Sequence, residues 1–490
     1  MSPIRACLLD AKFYEHPVKL RLPFRFGVVT LREAPQLFVR ARIRVVDGRE
    51  GEGVAAELLV PKWFDKSPEL SNEQNFQQLR QSAQLAREHL IAAGTATPFG
   101  LSVAAEKEHR AACTAGGLNG LIASFGLAFL ERGIVDALAR LEARPAFDLV
   151  RENRLGVTAE ITPDLAGFDL SAFLAGLHPA RSIFVRHTIG LVDALTREET
   201  RGRRLNDGLP ESLEEAIAAY GHRYFKLKLG GAISADVDRL CAIAAVLDGI
   251  AEPYFVTLDG NEQFESVTPV VELWRRVGEE ARLARLKHSV LLIEQPIARA
   301  RALSEPIDAL AREVPVEVDE SDADIGVFPR ARALGYRGIS AKSCKGFYRA
   351  LLNRARVAQW DAQAETGTRY FMSAEDLTTQ AGVAVQQDLA LAALVGAAHV
   401  ERNGHHYVDG MTGAPQNEEN AFLSAHPDLY TRAPNGRVRL AIRDGAVSLA
   451  SIARTPGLGV GPMPEFATMQ STTREVNSVG FLSPPGRGLG

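Results

Sequence analysis

The sequence is poor in the features that mark several specialised classes of protein. Its 490 residues include four cysteines, Cys7, Cys113, Cys241 and Cys344. They form no CxxC pair and no zinc-ligand spacing, so we expect free thiols rather than a disulfide scaffold or a zinc finger. The N-terminal stretch carries Asp10 and Lys12 early, which is not typical of a signal peptide. These features together predict a cytoplasmic protein.

An excess of charge of one sign and long apolar runs are also lacking. The 56 basic and 60 acidic residues give a net charge of -4, which provides no electrostatic footprint for nucleic acid or an anionic membrane. No run of roughly 18 apolar residues predicts a membrane-spanning helix. Because 46% of the residues are hydrophobic, the chain can bury a large core. We therefore expect a globular protein with a small-molecule partner, and neither nucleic acid nor membrane.

The most regular pattern in the chain is a series of short apolar runs that alternate with helical stretches. The runs end in polar or small residues that recur roughly 30 residues apart, about one strand and one helix per step. These residues are Lys228, Asp259, Glu294, Asp319, Lys342, Ser373 and Glu401. With the earlier run at 183–195, eight strands predict a (β/α)8-type barrel, a modified TIM barrel. An open doubly wound sheet is the alternative, but Gly230-Gly231 does not belong to a GxGxxG motif.

The segments before and after this series differ from it in character. Strands are predicted over 19–26 and 36–46, and a helix over 72–93. A further strand, turn and strand are predicted over 429–450. The resulting division is an α+β capping domain at 1–150, a barrel at 180–405, a return to the capping domain at 406–460, and an extension or tail at 461–490.

Charged side chains mark the ends of five consecutive strands of the predicted barrel. They are Lys226 and Lys228, then Asp259 and Asn261, then Glu294, then Asp319 and Glu320, then Lys342. Active sites of such barrels lie at the carboxyl ends of the strands. We therefore expect three strands to bring carboxylates together, with lysines on either side.

Clustered carboxylates repel one another and raise one another's pKa unless a cation lies among them. Oxygen ligands suit Mg²⁺, with Mn²⁺ as a substitute. Such a cation can bind a substrate carboxylate and stabilise the charge that develops when the neighbouring carbon loses a proton. Lys226 and Lys228 lie on one face of their strand, so one can act as a fixed cation and the other as a general base.

Structural roles could explain single members of this set. A lysine pair at a strand end is often solvated, and Asp319 could cap a helix. Glu294 is harder to explain in this way, because it lies within the apolar run VLLIEQPI and buried charges are rarely unpaired. The argument for chemistry therefore depends on the whole set and its order.

The order K-x-K, D-x-N, E-Q-P, D-E-S and a final lysine resembles the enolase superfamily. More narrowly, it resembles the muconate lactonizing enzyme branch of the mandelate racemase/muconate lactonizing enzyme family. The segments LRLPFRFGVVTL and TPGLGVG resemble its capping domain, so the likeness extends over about residues 10–460. The resemblance implies a barrel with a capping domain formed from both ends of the chain, bound Mg²⁺ and a homo-oligomer.

The resemblance also implies roles for individual residues. Asp259, Glu294 and Asp319 would be the metal ligands. Asn261 and Glu320 would contact these ligands rather than the metal. Lys228, assisted by Lys226, and Lys342 would lie on opposite sides of the substrate α-carbon, with Lys345, three residues further on, as the alternative to Lys342. Substrate contacts would come from Phe24, Arg25, Lys345 and Glu401.

The implied reaction is abstraction of the α-proton of a carboxylate substrate to give a metal-stabilised enolate. A racemase, an epimerase or a cycloisomerase is expected. The alternatives are a Mg²⁺-dependent acid-sugar dehydratase, a Schiff-base barrel lyase and a non-catalytic binding protein on the same fold. The predicted eighth strand, AHVERNG, lacks the Asp-x-Asp motif of dipeptide epimerases, so a dipeptide is not the expected substrate. His405 and His406, which follow it, are expected at the surface.

Overall fold

The N-terminal part of the chain is an antiparallel sheet covered by helices. The computed structural model describes residues 2–364, 367, 369–377 and 380–473. The strands are β1 (Ala6–Phe26), β2 (Val29–Val45) and β3 (Glu50–Leu58). The helices are α1 (Asn72–Ala92), α2 (Pro98–Ala115), α3 (Gly120–Leu141), α4 (Ala146–Arg151) and α5 (Leu170–Ala175). The strands predicted at 19–26 and 36–46 lie in β1 and β2, and the predicted helix matches α1.

Local sequence explains two of these helices. Ser71 and Gln74 form a capping box at the start of α1, in which each side chain accepts a hydrogen bond from the backbone N–H of the other residue. Helix α3 is apolar around most of its circumference, and its residues from Leu121 to Ala139 are buried. Such a helix is stable only inside a domain, and α3 packs against both β3 and α1.

The second part is a closed parallel barrel. Its strands are β4 (Ser182–Ile189), β5 (Tyr224–Lys228), β6 (Phe255–Asp259), β7 (Val290–Glu294), β8 (Val316–Val318), β9 (Gly338–Ala341), β10 (Phe371–Ala374) and β11 (His399–Arg402). Each strand pairs with the next, and β11 pairs with β4, where Glu401 lies opposite Arg186. This closure confirms the predicted barrel and excludes the open sheet.

Helices surround the barrel on its outer side. They are α6 (Leu213–Tyr220), α7 (Ile233–Leu247), α8 (Val267–Glu279), α9 (Ala284–His288), α10 (Arg299–Ala302), α11 (Asp308–Ala311), α12 (Val327–Ala333), α13 (Phe347–Gln363) and α14 (Val383–Leu394). Much of the apolar core lies between these helices and the strands, where Phe225, Leu258 and Val270 are buried. Among the helices of the described residues, none is long and apolar enough to cross a membrane.

The C-terminal part contacts both the barrel and the N-terminal sheet. Its elements are α15 (Gly404–Tyr407), α16 (Gln416–Ala425), β12 (Tyr430–Arg432), β13 (Val438–Leu440), β14 (Ala446–Ser448) and β15 (Gln470–Ser471). Strand β14 pairs antiparallel with β4 of the barrel, and β15 pairs with β1. The strands predicted near the end of this part exist, but β13 pairs with β12 rather than with β14. The part of the predicted tail at 474–490 lies outside the described residues.

Replacing Gly126 by alanine is expected to destabilise the N-terminal domain, because the new Cβ would lie 2.3 Å from the carbonyl oxygen of Ser82. Overpacking of this kind costs typically about 1–3 kcal/mol in the free energy of unfolding. Gly133→Ala in the same helix is the matched control, since its Cβ would meet only side-chain atoms of Ala41 and Val39, at 3.2 and 3.4 Å. Thermal unfolding compares the two variants, and a Tm for Gly126→Ala at or above that of Gly133→Ala contradicts the prediction.

Candidate active site

The barrel brings the charged residues at the strand ends to one end of the molecule. Lys228, Asp259 and Glu294 are direct neighbours in the strand register. Asp319 and Lys342 are the first residues after β8 and β9. All five side chains are buried, and two of them, Asp259 and Glu294, contact the ammonium group of Lys226.

Lys226 lies among four carboxylates. Its Nζ is 2.9 Å from Asp259 Oδ2, 2.7 Å from Glu294 Oε2, 2.6 Å from Glu375 Oε2 and 2.9 Å from Glu401 Oε2. Burial alone would lower the pKa of Lys226, but the surrounding carboxylates, led by Asp259 and Glu294, hold it well above its ordinary value. Lys226 is therefore a fixed cation and not a proton acceptor at neutral pH.

The other two lysines of the site lie on opposite sides of the barrel. Lys228 ends the second strand and Lys342 follows the sixth, which are four strands apart in a ring of eight. Lys228 Nζ is 2.5 Å from Asp259 Oδ2, and Lys342 Nζ is 2.9 Å from Asp319 Oδ2. A ligand between them would have an ammonium group on each face.

The D-x-N and E-Q-P motifs position the acids through their backbone. Asn261 and Gln295 have positive φ values of 41° and 30°, which is uncommon for residues other than glycine. The backbone N–H of Asn261 donates to Asp259 Oδ1 at 2.8 Å, and the side-chain oxygen of Gln295 accepts from the backbone N–H of Asp319 at 2.8 Å. Asn261 also donates to Glu320 Oε1 at 3.2 Å. Both residues predicted to support the ligands, Asn261 and Glu320, therefore contact the site or each other.

Buried carboxylate oxygens in this site lack hydrogen bonds. Glu294 Oε2 and Asp319 Oδ2 accept none, although the lysine ammonium groups lie 2.7 and 2.9 Å away. Burial raises the pKa of Glu294 well above its ordinary value, and the carboxylates of Asp259 and Glu375 add to this effect. Burial likewise raises the pKa of Glu320 to about 7. Carboxylate oxygens are the donors that a hard divalent cation binds, so these residues fit a metal ion.

Two acidic trios share Glu294. Within the part of the chain that the structure describes, oxygens of Glu294, Glu317 and Glu375 lie within 4.8 Å of one another. The predicted trio combines Glu294 with Asp259 and Asp319. Of these five acids, Asp259 and Asp319 line the cavity of the site, so a ligand in the cavity would reach two members of the predicted trio and neither Glu317 nor Glu375.

The cavity has an empty volume of about 300 Å³ and lies between the barrel and the N-terminal domain. Its polar wall carries the lysines and acids of the barrel together with Asn403. Its apolar wall is formed by Phe24, Phe26, Val60, Trp63 and Leu377. Phe24 lies where a substrate contact was predicted.

Aromatic rings from the N-terminal domain cover both lysines. Lys228 Nζ lies 5.9 Å from the ring centre of Phe26, and Lys342 Nζ lies 5.3 Å from that of Trp63. At these distances a ring attracts a cation. The N-terminal domain therefore closes the mouth of the barrel directly over the reactive groups.

The loop that carries Trp63 is fixed to the barrel by charge. Arg299 donates to the backbone oxygens of Trp63 and Phe64 and pairs with Glu262 at 2.7 Å. Lys66, on the same loop, lies 2.5 Å from Glu262 Oε2. Sequence reasoning missed Lys66 and Arg299, because their partners are brought near only by the docking of the two domains.

The remaining predicted substrate contacts differ in their surroundings. Arg25 is exposed. Lys345 lies 3.2 Å from Asp319 Oδ1 and lines a neighbouring cavity. Glu401 lines the central cavity, but its oxygens already accept hydrogen bonds from Thr188, Asn403 and Lys226.

Sequence reasoning also missed a layer of charge inside the barrel. Arg186 pairs with Glu375, and Ser373 donates to Glu317 Oε1 at 2.9 Å. All four side chains are buried. The alternation of side chains along a strand does place Arg186 and Glu317 at inward positions. A single charged residue inside a short strand, however, does not by itself predict a buried ion pair.

Comparison with known proteins places the fold. No protein-family model matches the chain, and no curated protein matches its sequence. An enolase from Bradyrhizobium, solved with magnesium and mandelic acid, is 17% identical and aligns over 96% of this chain and 99% of its own, with a TM-score of 0.59. A 2-chloromuconate cycloisomerase from Rhodococcus opacus is 18% identical and aligns over 94% of this chain and 98% of its own, with a TM-score of 0.58.

A third solved structure is a dipeptide epimerase from Enterococcus faecalis, complexed with Mg and the dipeptide L-Leu-L-Tyr. It is 12% identical, and the alignment covers 92% of this chain and 99% of that chain with a TM-score of 0.57. At these identities the likeness is one of fold. The chain therefore has the modified TIM barrel with a capping domain that the resemblance to the enolase superfamily predicted.

Proposed function

We propose that this protein is a Mg²⁺-dependent enzyme of the enolase superfamily that removes the α-proton of a small carboxylate and returns it to the opposite face. The reaction class is racemisation or epimerisation. The observation that carries the proposal is the placement of Lys228 and Lys342 on opposite sides of one cavity. Assembly into a homo-oligomer and a cytoplasmic location stay predictions.

The acids of the site hold the metal in this proposal. Asp259, Glu294 and Asp319 are its ligands, and the oxygens of Glu294 and Asp319 that accept no hydrogen bond of normal geometry support this assignment. Bound there, Mg²⁺ would act as a Lewis acid toward the substrate carboxylate. Asn261 and Gln295 hold the ligands in place through the hydrogen bonds of their turns.

The three lysines divide the proton transfer between them. Lys226, held as a cation by four carboxylates, offsets negative charge at the bottom of the cavity. Lys228 Nζ would accept the α-proton on one face of the substrate. Lys342 Nζ would supply a proton on the other face, which inverts the configuration of the α-carbon.

The cavity indicates the class of substrate. One wall is charged, and the other is formed by aromatic and aliphatic side chains such as Phe24 and Leu377. A carboxylate with one compact apolar substituent fits both walls.

Cycloisomerisation is the second candidate. It needs one base and a fixed cation opposite, and Lys342 has the properties of a fixed cation. Burial would lower the pKa of Lys342, but Asp319 and other carboxylates hold it well above its ordinary value. In this reaction Lys228 alone would move the proton.

Binding of Mg²⁺ is expected to depend on Asp319 rather than on Glu317. Asp319→Asn should lower the affinity at least about tenfold, since even outer-sphere partners of a metal cost 10–100-fold. Glu317→Gln is the matched control, because it also neutralises a buried carboxyl group two positions away, and it should leave the affinity unchanged. Isothermal titration measures both. A larger loss in Glu317→Gln would place the ion in the trio of Glu294, Glu317 and Glu375.

Exchange of the α-hydrogen with deuterated solvent tests the chemistry. Mass spectrometry would follow amino-acid derivatives, hydroxy acids and lactone-forming acids of both configurations, with Mg²⁺ and with EDTA. Wild-type enzyme should exchange both enantiomers only with the metal. Lys228→Ala should slow the exchange of one enantiomer about 10²–10⁴-fold. Lys342→Ala should slow the exchange of the opposite enantiomer by a similar factor. Lys287→Ala, which alters a lysine beside Trp274 on the outer helices, should retain both.

The outcomes separate the candidates. Loss of both enantiomers in Lys228→Ala, with exchange retained in Lys342→Ala, indicates one-base cycloisomerisation. Exchange that persists in EDTA, or a covalent adduct trapped by borohydride with a keto acid, supports a Schiff-base lyase and contradicts the proposal. Metal binding without exchange of any acid in the panel would also contradict it and indicates a binding protein.

A further inference from the structure

A cluster of histidines lies outside the barrel, away from the acidic site. His187 is on β4, His222 lies just before β5, and His405 and His406 are on α15. The neighbours of His187, Arg186 and Thr188, face the interior and bond to Glu375 and Glu401. Alternation along the strand therefore directs His187 outward. The expectation that His405 and His406 lie at the surface is wrong, since His406 is buried and His405 is half-buried.

The three rings of His187, His222 and His405 form a nearly equilateral triangle. Their ring centres are 4.9, 5.2 and 5.3 Å apart. One nitrogen from each ring lies within 4.8 Å of the others, and His187 Nδ1 is 3.2 Å from His405 Nε2. Three imidazoles on one tetrahedral ion, with metal–nitrogen bonds of about 2.0–2.1 Å, would have nitrogens about 3.3 Å apart and ring centres about 5 Å apart.

Several ring nitrogens in this cluster lack partners. Neither nitrogen of His222 makes a hydrogen bond of normal geometry, and Nδ1 of His405 and of His406 makes none. A buried polar atom without a partner is costly and calls for an explanation. Buried histidines with satisfied nitrogens do occur in this chain: His426 bonds to Ser451 Oγ and to the carbonyl oxygen of Val460.

The protonation state also suits metal binding. Burial lowers the pKa of His187 to about 4, and burial together with the neighbouring rings lowers the pKa of His222 and His405 well below the ordinary value. The imidazoles are therefore neutral at pH 7, which is the form that binds a metal. One surface hollow is lined in part by His222 and another by His406, so the cluster lies next to the solvent-accessible surface.

We propose that His187, His222 and His405 form a binding site for a divalent transition-metal ion such as Zn²⁺, separate from the acidic site. Nitrogen ligands favour zinc and its neighbours in the periodic table over Mg²⁺. His406, whose ring centre is 5.0 Å from that of His187, borders the cluster as a fourth imidazole. The ion would join the first strand, the entry to the second strand and the segment after the eighth strand.

Zinc titration tests this site directly. Metal-free full-length protein in excess Mg²⁺, which occupies the acidic site, is titrated with Zn²⁺ against a chromophoric chelator. Wild type should bind one Zn²⁺ per chain and show a higher Tm with zinc. His222→Gln and His405→Gln should each lower the affinity for Zn²⁺ at least about a hundredfold, because the loss of even an outer-sphere partner of a metal lowers its affinity by up to about 100-fold. His426→Gln and Asp319→Asn, which alter a buried histidine elsewhere and an acid of the other site, should bind as wild type does.

Two results would overturn the proposal. One is wild-type protein that binds no Zn²⁺ in excess Mg²⁺, and the other is binding that is unchanged in both cluster variants or lost in Asp319→Asn. Because a cluster variant could also fail to fold, Co²⁺ is added to wild type as an independent probe. A visible absorption spectrum of tetrahedral, nitrogen-ligated Co²⁺ is expected, and a spectrum of octahedral, oxygen-ligated Co²⁺ refutes the site. These readouts do not depend on catalysis.

Discussion

The ammonium group of Lys226 is the interaction on which the interior of the barrel depends. Four buried carboxylates from the third, fourth, seventh and eighth strands or their ends lie within 2.9 Å of it. Each of these groups would be costly to bury alone, and removing one partner of such a set leaves uncompensated charge. The strands must therefore keep a register that holds all five groups together. Apolar packing outside the barrel supplies the stability that a charged interior does not.

The two domains contribute different groups to the cavity. The barrel supplies charge at the strand ends, and the N-terminal domain supplies the rings of Phe26 and Trp63 over two of the lysines. An apolar cover lowers the effective dielectric around the charges and strengthens their interactions. Because Arg299 and Glu262 fix the covering loop to the barrel, the apolar cover and the charged strand ends are held in one arrangement.

The sequence was sufficient to predict the barrel and the residues at its strand ends, because a parallel barrel gathers the ends of its strands at one face whatever the details of packing. Lys228 and Asp259 could be found in this way. The partner of a strand is not encoded locally, so the pairing of β14 with β4 could not be read from the turn before it. The surroundings of Arg25 and Lys66 depend on how the domains dock, and the grouping of His222 with His405 joins segments nearly 200 residues apart in the sequence.

The place where the barrel closes is the position most in need of support. Its first and last strands are separated by the whole length of the barrel, so their pairing has a large loop-closure entropy to overcome. The seventh and eighth strands share a single register pair, Ala374 with Val400, which leaves the last strand weakly held on that side. Strand β14 pairs antiparallel with the N-terminal residues of the first strand. The histidine cluster lies between the first strand and the segment that follows the last strand. A bound ion there would stabilise the closure between the eighth and first strands, and through Tyr407, whose ring centre lies 4.4 Å from that of Phe24, it would also stabilise the apolar wall of the cavity.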